Sequence, residues 1–443
     1  MTSPPPLLLR WQGSLADWHQ GPLARRLPQI AGVVICALMA GLPVLSRGGL
    51  GLLISASGLL WILWALRTPA GRLGSINLWI LGILAIATLA TGFSPVPVAA
   101  FKGLLKLISY LGVYALLREL LAHNPRWWDR IVAALLGGSL LTSVLGIRQL
   151  FGNTEELARW ADPNSVADGT IRIYGTLENP NLLGGYLLAV LPLALAAVLR
   201  WSPPLQRLFA ASSLGLGLIA LVLTYSRGAW MGMVASLGLM ALLLVLRQTR
   251  SWPPLWRRLF PLLLLLLGAA ALVVLVTQVE PLRVRVLSLV AGREDSSNNF
   301  RINVWMAALK MVEARPWLGI GPGNTAFNLI YPLFQQPKFN ALSAYSIPLE
   351  IAVEAGLSGL LVLLGLLGAA VRSGLRLSRG DGHLALPALA SLAMVAGLGV
   401  QGLTDTIFFR PEVQVIGWFG LAVISAGTCL SRQADPQEPA AGP

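Results

Sequence analysis

Long, nearly uninterrupted apolar runs recur throughout this chain of 443 residues, and they constrain its fold more than any other feature. A helix needs roughly 20 apolar residues to cross about 30 Å of hydrocarbon. Twelve runs approach that length, so we predict an all-α polytopic membrane protein with about 12 transmembrane helices. The predicted spans are 28–46, 49–66, 75–93, 98–117, 131–150, 182–199, 207–225, 229–246, 259–279, 347–371, 385–406 and 413–430.

Composition excludes several other classes of protein. Charged residues make up 12% of the chain, whereas soluble domains carry about 25%. A cytosolic enzyme could not cover its surface at that density. The runs are also too long and too continuously apolar for the strands of an outer-membrane barrel. The formal net charge of +14 therefore indicates a lipid bilayer as partner and no nucleic acid.

Basic residues are concentrated on one side of the predicted topology. With twelve spans both termini share a side, and the loops of that side contain most of the arginines, among them Arg126, Arg200, Arg250 and Arg379. Cytoplasmic loops of membrane proteins are enriched in Lys and Arg. We therefore predict an inner (plasma) membrane protein with cytoplasmic N and C termini.

The predicted topology divides the chain into five segments. A large helical periplasmic loop is predicted between spans 9 and 10. The segments are a cytoplasmic N-terminal stretch at 1–27, spans 1–9 at 28–279 with an outward loop at 151–181, the periplasmic loop at 280–346, spans 10–12 at 347–430, and a cytoplasmic tail at 431–443.

The periplasmic loop has a pattern of its own. Apolar residues at 302, 305, 306, 309 and 312 have the spacing of an amphipathic helix. Ser296 to Asn299 are cap-type residues before it, and Arg315-Pro316 should end it. Gly319, Gly321 and Gly323 then predict a tight turn.

Several ionisable residues fall inside predicted spans, where charges are costly and often functional. Lys106 is too deep to reach the interface easily, which favours a polar cavity. Snorkelling or internal ion pairing remains the alternative for the set. Its members are Lys102, Lys106, Arg148, Glu350, Glu354 and Asp405.

Two arginines near the predicted outer surface are candidate anion ligands. Arg227 follows a very short turn and is either a headgroup anchor or a ligand that grips phosphate bidentately. Arg301 is predicted in the first turn of the loop helix, where a bound anion would offset its unfavourable interaction with the helix dipole. The alternative is that Arg301 is an exposed surface residue that binds no ligand.

Metal-dependent chemistry has little support in the sequence. The histidines His19, His123 and His383 all fall on the predicted cytoplasmic side. Cys36 and Cys429 lie in apolar runs, so we expect no disulfide and no thiolate metal site. We predict neither a metal site nor a cofactor.

Four stretches, in this order, resemble motifs of the O-antigen ligase/polymerase superfamily. They cover roughly residues 170–370. The stretches are Gly175–Asn181, Thr224–Trp230, Arg301 with Trp305 followed by Pro316–Gly323, and Glu350–Gly359. Within the superfamily, Leu342–Glu350 and Asp405–Glu412 resemble the cyanobacterial IctB family, whose members are described as bicarbonate transporters.

The superfamily resemblance implies roles for particular residues. Its ligases are metal-independent inverting glycosyltransferases that move a glycan from undecaprenyl diphosphate onto an acceptor hydroxyl. Two arginines that hold the diphosphate map onto Arg227 and Arg301. Lys106, chosen for its depth in a predicted span and not through the resemblance, is a further candidate anion ligand. The family's acceptor-activating histidine maps onto Tyr345, which is a poor base because its ordinary pKa is about 10. Glu350 is the alternative base.

Three functions stay open at this point. The first is glycan transfer from an undecaprenyl-diphosphate-linked glycan to an acceptor at the periplasmic face. The second is transport of bicarbonate or another small anion, although no inverted repeat typical of transporters is visible. The third is a non-catalytic accessory role on a ligase-like fold.

Overall fold

The computed structural model describes residues 22–66, 74–152, 172–278, 280–287 and 292–434. Regular structure in these residues is helical throughout, which confirms the predicted fold class. The α-helices are α1 (Pro22–Gly41), α2 (Arg47–Ala65), α3 (Ser75–Gly92), α4 (Pro97–His123), α5 (Trp127–Arg148), α6 (Pro180–Arg200), α7 (Pro204–Leu223), α8 (Arg227–Gln248), α9 (Pro254–Gln278), α10 (Glu280–Leu287), α11 (Ser296–Ala314), α12 (Asn324–Ile330), α13 (Ile347–Ser378), α14 (Ala385–Gly402) and α15 (Pro411–Ala434).

Eleven helices in the described part of the chain are long and apolar enough to cross a membrane. They are α2 to α9 and α13 to α15, so the protein is a multi-pass membrane protein. The first predicted span, 28–46, falls largely on α1, which is not among the eleven. Helix α1 packs along α2 and α5.

The centre of the bundle is formed by α6, α14 and α15, whose side chains are mostly buried. Helix α6 packs against α7, α8 and α14, and α15 packs against α4. These central helices are rich in small residues, which let helix backbones approach closely in a bilayer. Helix α9 is the opposite case, because nearly all of its side chains are exposed.

Interhelical contacts group the loops as the predicted topology requires. At one end of the bundle Arg200 pairs with Asp129, and Arg247 pairs with Asp381. At the other end Arg227 pairs with Asp295. Each pair joins two segments that the topology predicts on the same side, while the alternation across a membrane and the assignment of one side to the cytoplasm stay predictions. Residues 1–21, 67–73, 153–171, 288–291 and 435–443 of the predicted loops and tails lie outside the described residues.

The loop helix α11 begins earlier than its apolar pattern predicts. The carboxylate of Asp295 accepts the backbone N–H of Asn298 at 3.0 Å and caps the helix, so Ser296 to Asn299 are already helical. Arg301 consequently lies in the second turn, which corrects its predicted first-turn position. The C terminus is as predicted, with Ala314 the last helical residue.

The segment Pro316–Gly323 docks onto a break in α13. Gly356 has non-helical dihedral angles (φ 68°, ψ −169°), which interrupts the helix and frees carbonyl groups. The N–H groups of Ile320 and Gly321 donate to the carbonyls of Val353 and Glu354 at 2.9 Å each. The break is thus sealed by backbone hydrogen bonds that satisfy otherwise unpaired groups.

Gly356→Ala is expected to unseat this docked segment. A Cβ atom at Gly356 would lie 2.3 Å from the Trp317 backbone, and its φ of 68° disfavours any other residue. We expect the free energy of unfolding to fall by about 1–3 kcal/mol, measured as reduced thermal stability in detergent. Gly368→Ala on the same helix is the matched control, because a Cβ there meets nothing within 4 Å. Equal stability of the two variants would contradict the docking described here.

Candidate active site

A polar cavity of about 240 Å³ lies where the loop helix α11 covers one end of the bundle. Its walls come from the segment before α6 and the first turn of that helix, the start of α8, the first three turns of α11 and the segment after α14. The lining residues are Arg172, Asn181, Tyr225, Ser226, Arg227, Gly228, Met231, Gly292, Ser297, Asn298, Arg301, Ile302, Trp305, Thr404 and Asp405.

Three helix N termini meet at this cavity, which suits it to an anion. Asn181, Arg227 and Ser297 each belong to the first turn of a helix, α6, α8 and α11 respectively. The helix dipole makes such termini favourable for negative charge; Asn179 and Asp295 cap α6 and α11, whereas α8 has no side-chain cap. Three arginines, Arg172, Arg227 and Arg301, line the same space.

Arg172 is held in place by polar contacts. Its Nε donates to the Thr224 carbonyl at 2.9 Å, and its Nη2 donates to Asn181 Oδ1 at 2.6 Å. Asn181 follows Asn179, whose side chain accepts two N–H groups of the first turn of α6. This network ties the Gly175–Asn181 motif to the turn before α8.

Arg227 is positioned by the aspartate that caps α11. Its Nη2 lies 3.0 Å from Asp295 Oδ1, and the Asp295 side chain is fully buried. The same oxygen accepts the N–H of Asn298, so one carboxylate orients both the arginine and the loop helix. An ion pair buried to this degree is costly to break, because the remaining charge would be uncompensated.

Arg301 lies against Asp405, but the two do not form a direct ion pair. Its Nε is buried and, among the described residues, has no hydrogen-bond partner. Burial lowers the pKa of Arg301, the charge of Asp405 opposes this shift, and Arg227 adds to it. The guanidinium remains protonated at neutral pH. Arg301 as a residue lines the cavity and keeps an unsatisfied donor, which makes it a candidate ligand for an oxyanion.

Asp405 contributes a carboxylate to the cavity wall. Its Oδ1 accepts the N–H of Thr406 at 2.7 Å, and the residue is 8% exposed. Burial raises the pKa of Asp405, while Arg301 and backbone N–H groups partly offset the rise. A carboxylate with a raised pKa beside an anion site has the properties of a general base.

Tyr345 lies beside the cavity but is not among the described residues that line it. Its backbone has a φ of 49°, and its ring contacts Phe300 edge-on with centroids 5.5 Å apart. The Tyr345 carbonyl accepts the Trp305 indole N–H at 3.4 Å. Burial, with Asp405 next, raises the pKa of the Tyr345 phenol. That shift makes its deprotonated form rarer at neutral pH.

Glu350 and Lys106 are likewise not among the described residues that line the cavity. Glu350 is 1% exposed, and its Oε2 accepts the backbone N–H of Ala344, next to Tyr345. One turn further, Glu354 accepts the N–H of Gly323 at 2.8 Å. Lys106 Nζ donates to the Phe409 carbonyl at 3.4 Å. Each of the three side chains thus binds the backbone of a loop. The catalytic role of Glu350 and the anion-binding role of Lys106 stay predictions.

Arg172 and Asp295 are candidate residues that sequence reasoning missed. Arg172 precedes the Gly175–Asn181 motif, and Asp295 directly precedes the cap-type run, so both carried a positional signal. Asp405 appeared among the ionisable residues in spans but not among the predicted site residues. Nothing in the sequence pattern indicated that these three residues meet at Arg227 and Arg301.

Comparison with known proteins gives a family match that contains two of the cavity arginines. Residues 212–364 match the family model described as O-Antigen ligase. The match includes Arg227 and Arg301 and supports the superfamily indicated by the motifs. The resemblance to the IctB family stays a prediction.

A second comparison points to another membrane protein. The chain is 25% identical over 313 residues to a protein of Marinobacter nauticus named "Probable peptidoglycan glycosyltransferase FtsW". The similarity covers 70% of this chain and 72% of that protein.

Proposed function

We propose that this protein transfers a glycan from undecaprenyl diphosphate to an acceptor hydroxyl at the periplasmic face of the inner membrane. The single observation that carries the proposal is the cavity at three helix N termini, lined by Arg172, Arg227 and Arg301. The superfamily match and the similarity to a named glycosyltransferase support a role like that of a membrane glycosyltransferase.

Diphosphate is the leaving group that this site suits. As the bond between the anomeric carbon and the diphosphate oxygen breaks, negative charge grows on that oxygen. Preorganised guanidinium groups and helix N termini stabilise such charge in proportion to its growth. The Arg301 guanidinium would donate to the diphosphate, and Asp295 would hold Arg227 in the same orientation.

Asp405 is the proton acceptor that we assign within this proposal. The acceptor oxygen attacks the anomeric carbon from the face opposite the diphosphate, which inverts the configuration. Its proton passes to the Asp405 carboxylate, and undecaprenyl diphosphate leaves. Asp405 lines the cavity, whereas Glu350 is not among its described lining residues and accepts the Ala344 N–H. Tyr345 then helps to shape the acceptor side.

Reconstitution tests the function directly. The full-length protein in liposomes is given an undecaprenyl-diphosphate-linked glycan and an acceptor, and release of undecaprenyl diphosphate is measured. Bicarbonate flux is followed in parallel vesicles without the lipid-linked donor. Turnover without flux is the expected result. Flux in the absence of donor, with no turnover, would replace glycan transfer by anion transport.

A further inference from the structure

A second basic cavity, of about 420 Å³, lies at the opposite end of α8, a helix whose first residues line the candidate active site. Helix α8 begins at Arg227 in the active-site cavity and ends at Gln248, beside this second one. A helix of this length covers about 33 Å, close to the thickness of the hydrocarbon layer. The two cavities therefore lie near opposite faces of the membrane.

Four arginines surround the second cavity, which we call the arginine pocket: Arg247, Arg250, Arg257 and Arg379. They come from three different places in the chain: the end of α8, the start of α9 and the end of α13. One carboxylate compensates them in the described structure, that of Asp381, which pairs with Arg247 at 3.1 Å and is fully exposed. Four arginines against one aspartate leave an excess of three positive charges.

Two of these arginines are fixed by backbone carbonyls. Arg250 Nη1 donates to the Arg379 carbonyl at 2.7 Å, and Arg247 Nη1 donates to the Ser378 carbonyl at 3.3 Å. By contrast, the guanidinium groups of Arg257 and Arg379 form no ion pair or hydrogen bond within the described ranges. The pocket thus combines anchored and available cations.

The inner wall of the arginine pocket is apolar. Leu243, Leu246 and Leu375 complete the lining, and each precedes a pocket arginine or Ser378 by about one helical turn. Charge therefore lies at the helix ends and hydrocarbon lies one turn deeper, toward the membrane centre. A phospholipid has this same order along its length, whereas a free inorganic anion offers nothing for the leucines to contact.

We propose that the arginine pocket binds the headgroup of an anionic phospholipid, with the acyl chains running along the leucines. Basic pockets between membrane helices are a recurrent way of holding such headgroups. The lipid would also fill the space beside α9, whose side chains are otherwise almost all exposed. This site is independent of the proposed glycan transfer, because it lies at the other end of α8.

The test compares two charge-matched double variants of the full-length protein by native mass spectrometry. Arg257→Gln with Arg379→Gln removes the two available pocket arginines. Arg258→Gln with Arg376→Gln removes two exposed arginines of the same helices that lie outside the pocket lining. Phosphatidylglycerol and phosphatidylcholine are titrated separately, and inorganic pyrophosphate is added as a competitor.

The parent protein and the control variant are expected to bind phosphatidylglycerol about tenfold more tightly than phosphatidylcholine. The pocket variant should show a preference of about twofold or less. An equal loss in both variants, or no preference in the parent protein, would overturn the proposal. Complete displacement of phosphatidylglycerol by pyrophosphate at equal phosphate concentration would also overturn it, in favour of a site for soluble oxyanions.

Discussion

Arg301→Ala is expected to lower glycan transfer by at least about 10²-fold, the usual cost of removing one preorganised donor to developing negative charge. The physical reason is that the Arg301 guanidinium belongs to the cavity lining and keeps a donor without a partner among the described residues. Release of undecaprenyl diphosphate by the reconstituted protein measures the loss. Binding of undecaprenyl diphosphate should weaken in parallel, because the same contact holds the product.

Two further variants show whether the effect is specific. Lys310→Ala removes an exposed cation from the same helix, α11, and should leave transfer within about twofold of the parent. Arg301→Lys keeps the charge but loses the planar fork that grips two oxygens, so most of the activity should still be lost. Full activity in Arg301→Ala, with unchanged membrane insertion, would rule out the diphosphate site as assigned.

Asp405→Asn is expected to lower transfer by about 10²–10⁴-fold, the range for a lost general base. Glu350→Gln is its matched comparison, since both changes replace a buried carboxylate by its amide. The glutamine oxygen can still accept the Ala344 N–H, so a positioning role for Glu350 predicts activity within about threefold of the parent. The reverse result, with Glu350→Gln inactive and Asp405→Asn active, would make Glu350 the base.

The pH dependence gives an independent test of Asp405. A base must be deprotonated to act, so activity should rise with pH through the Asp405 pKa. Burial raises that pKa, so the midpoint of the rise in activity at acidic pH should lie above the usual aspartate pKa of about 3.9. Arg301 opposes the upward shift of the pKa, and residual activity in Arg301→Gln should therefore show this midpoint at still higher pH. If the midpoint of this rise were the same in Arg301→Gln as in the parent protein, Asp405 would not be the group that accepts the proton.

Much of the fold was predictable because it depends on local composition. Each span is a run of apolar residues, and a helix is the way a single segment satisfies its backbone in lipid. The end of the loop helix at Ala314 was predictable for a similar reason, since Arg315-Pro316 carries its own signal. Its start was not, because the capping carboxylate of Asp295 precedes a run of equally plausible caps.

The candidate site was only partly predictable. Arg227 and Arg301 were found through motifs, and both line the cavity. Sequence position and residue type also pointed to Lys106, Glu350 and Tyr345. None of these is among the described residues that line the cavity. Depth in a span indicates that a charge is costly, but it does not indicate which cavity the side chain enters.

The sequence by itself determined the all-helical, multi-pass class through its long apolar segments, and it singled out Arg227 and Arg301 as candidates through their motifs. These properties follow from residue type along a single segment. Only the tertiary structure decided that Asp295 orients Arg227, that Asp405 lies beside Arg301, and that Pro316–Gly323 seals the break at Gly356. Those contacts join residues that are far apart in the chain, and they form only when helices of different segments pack together.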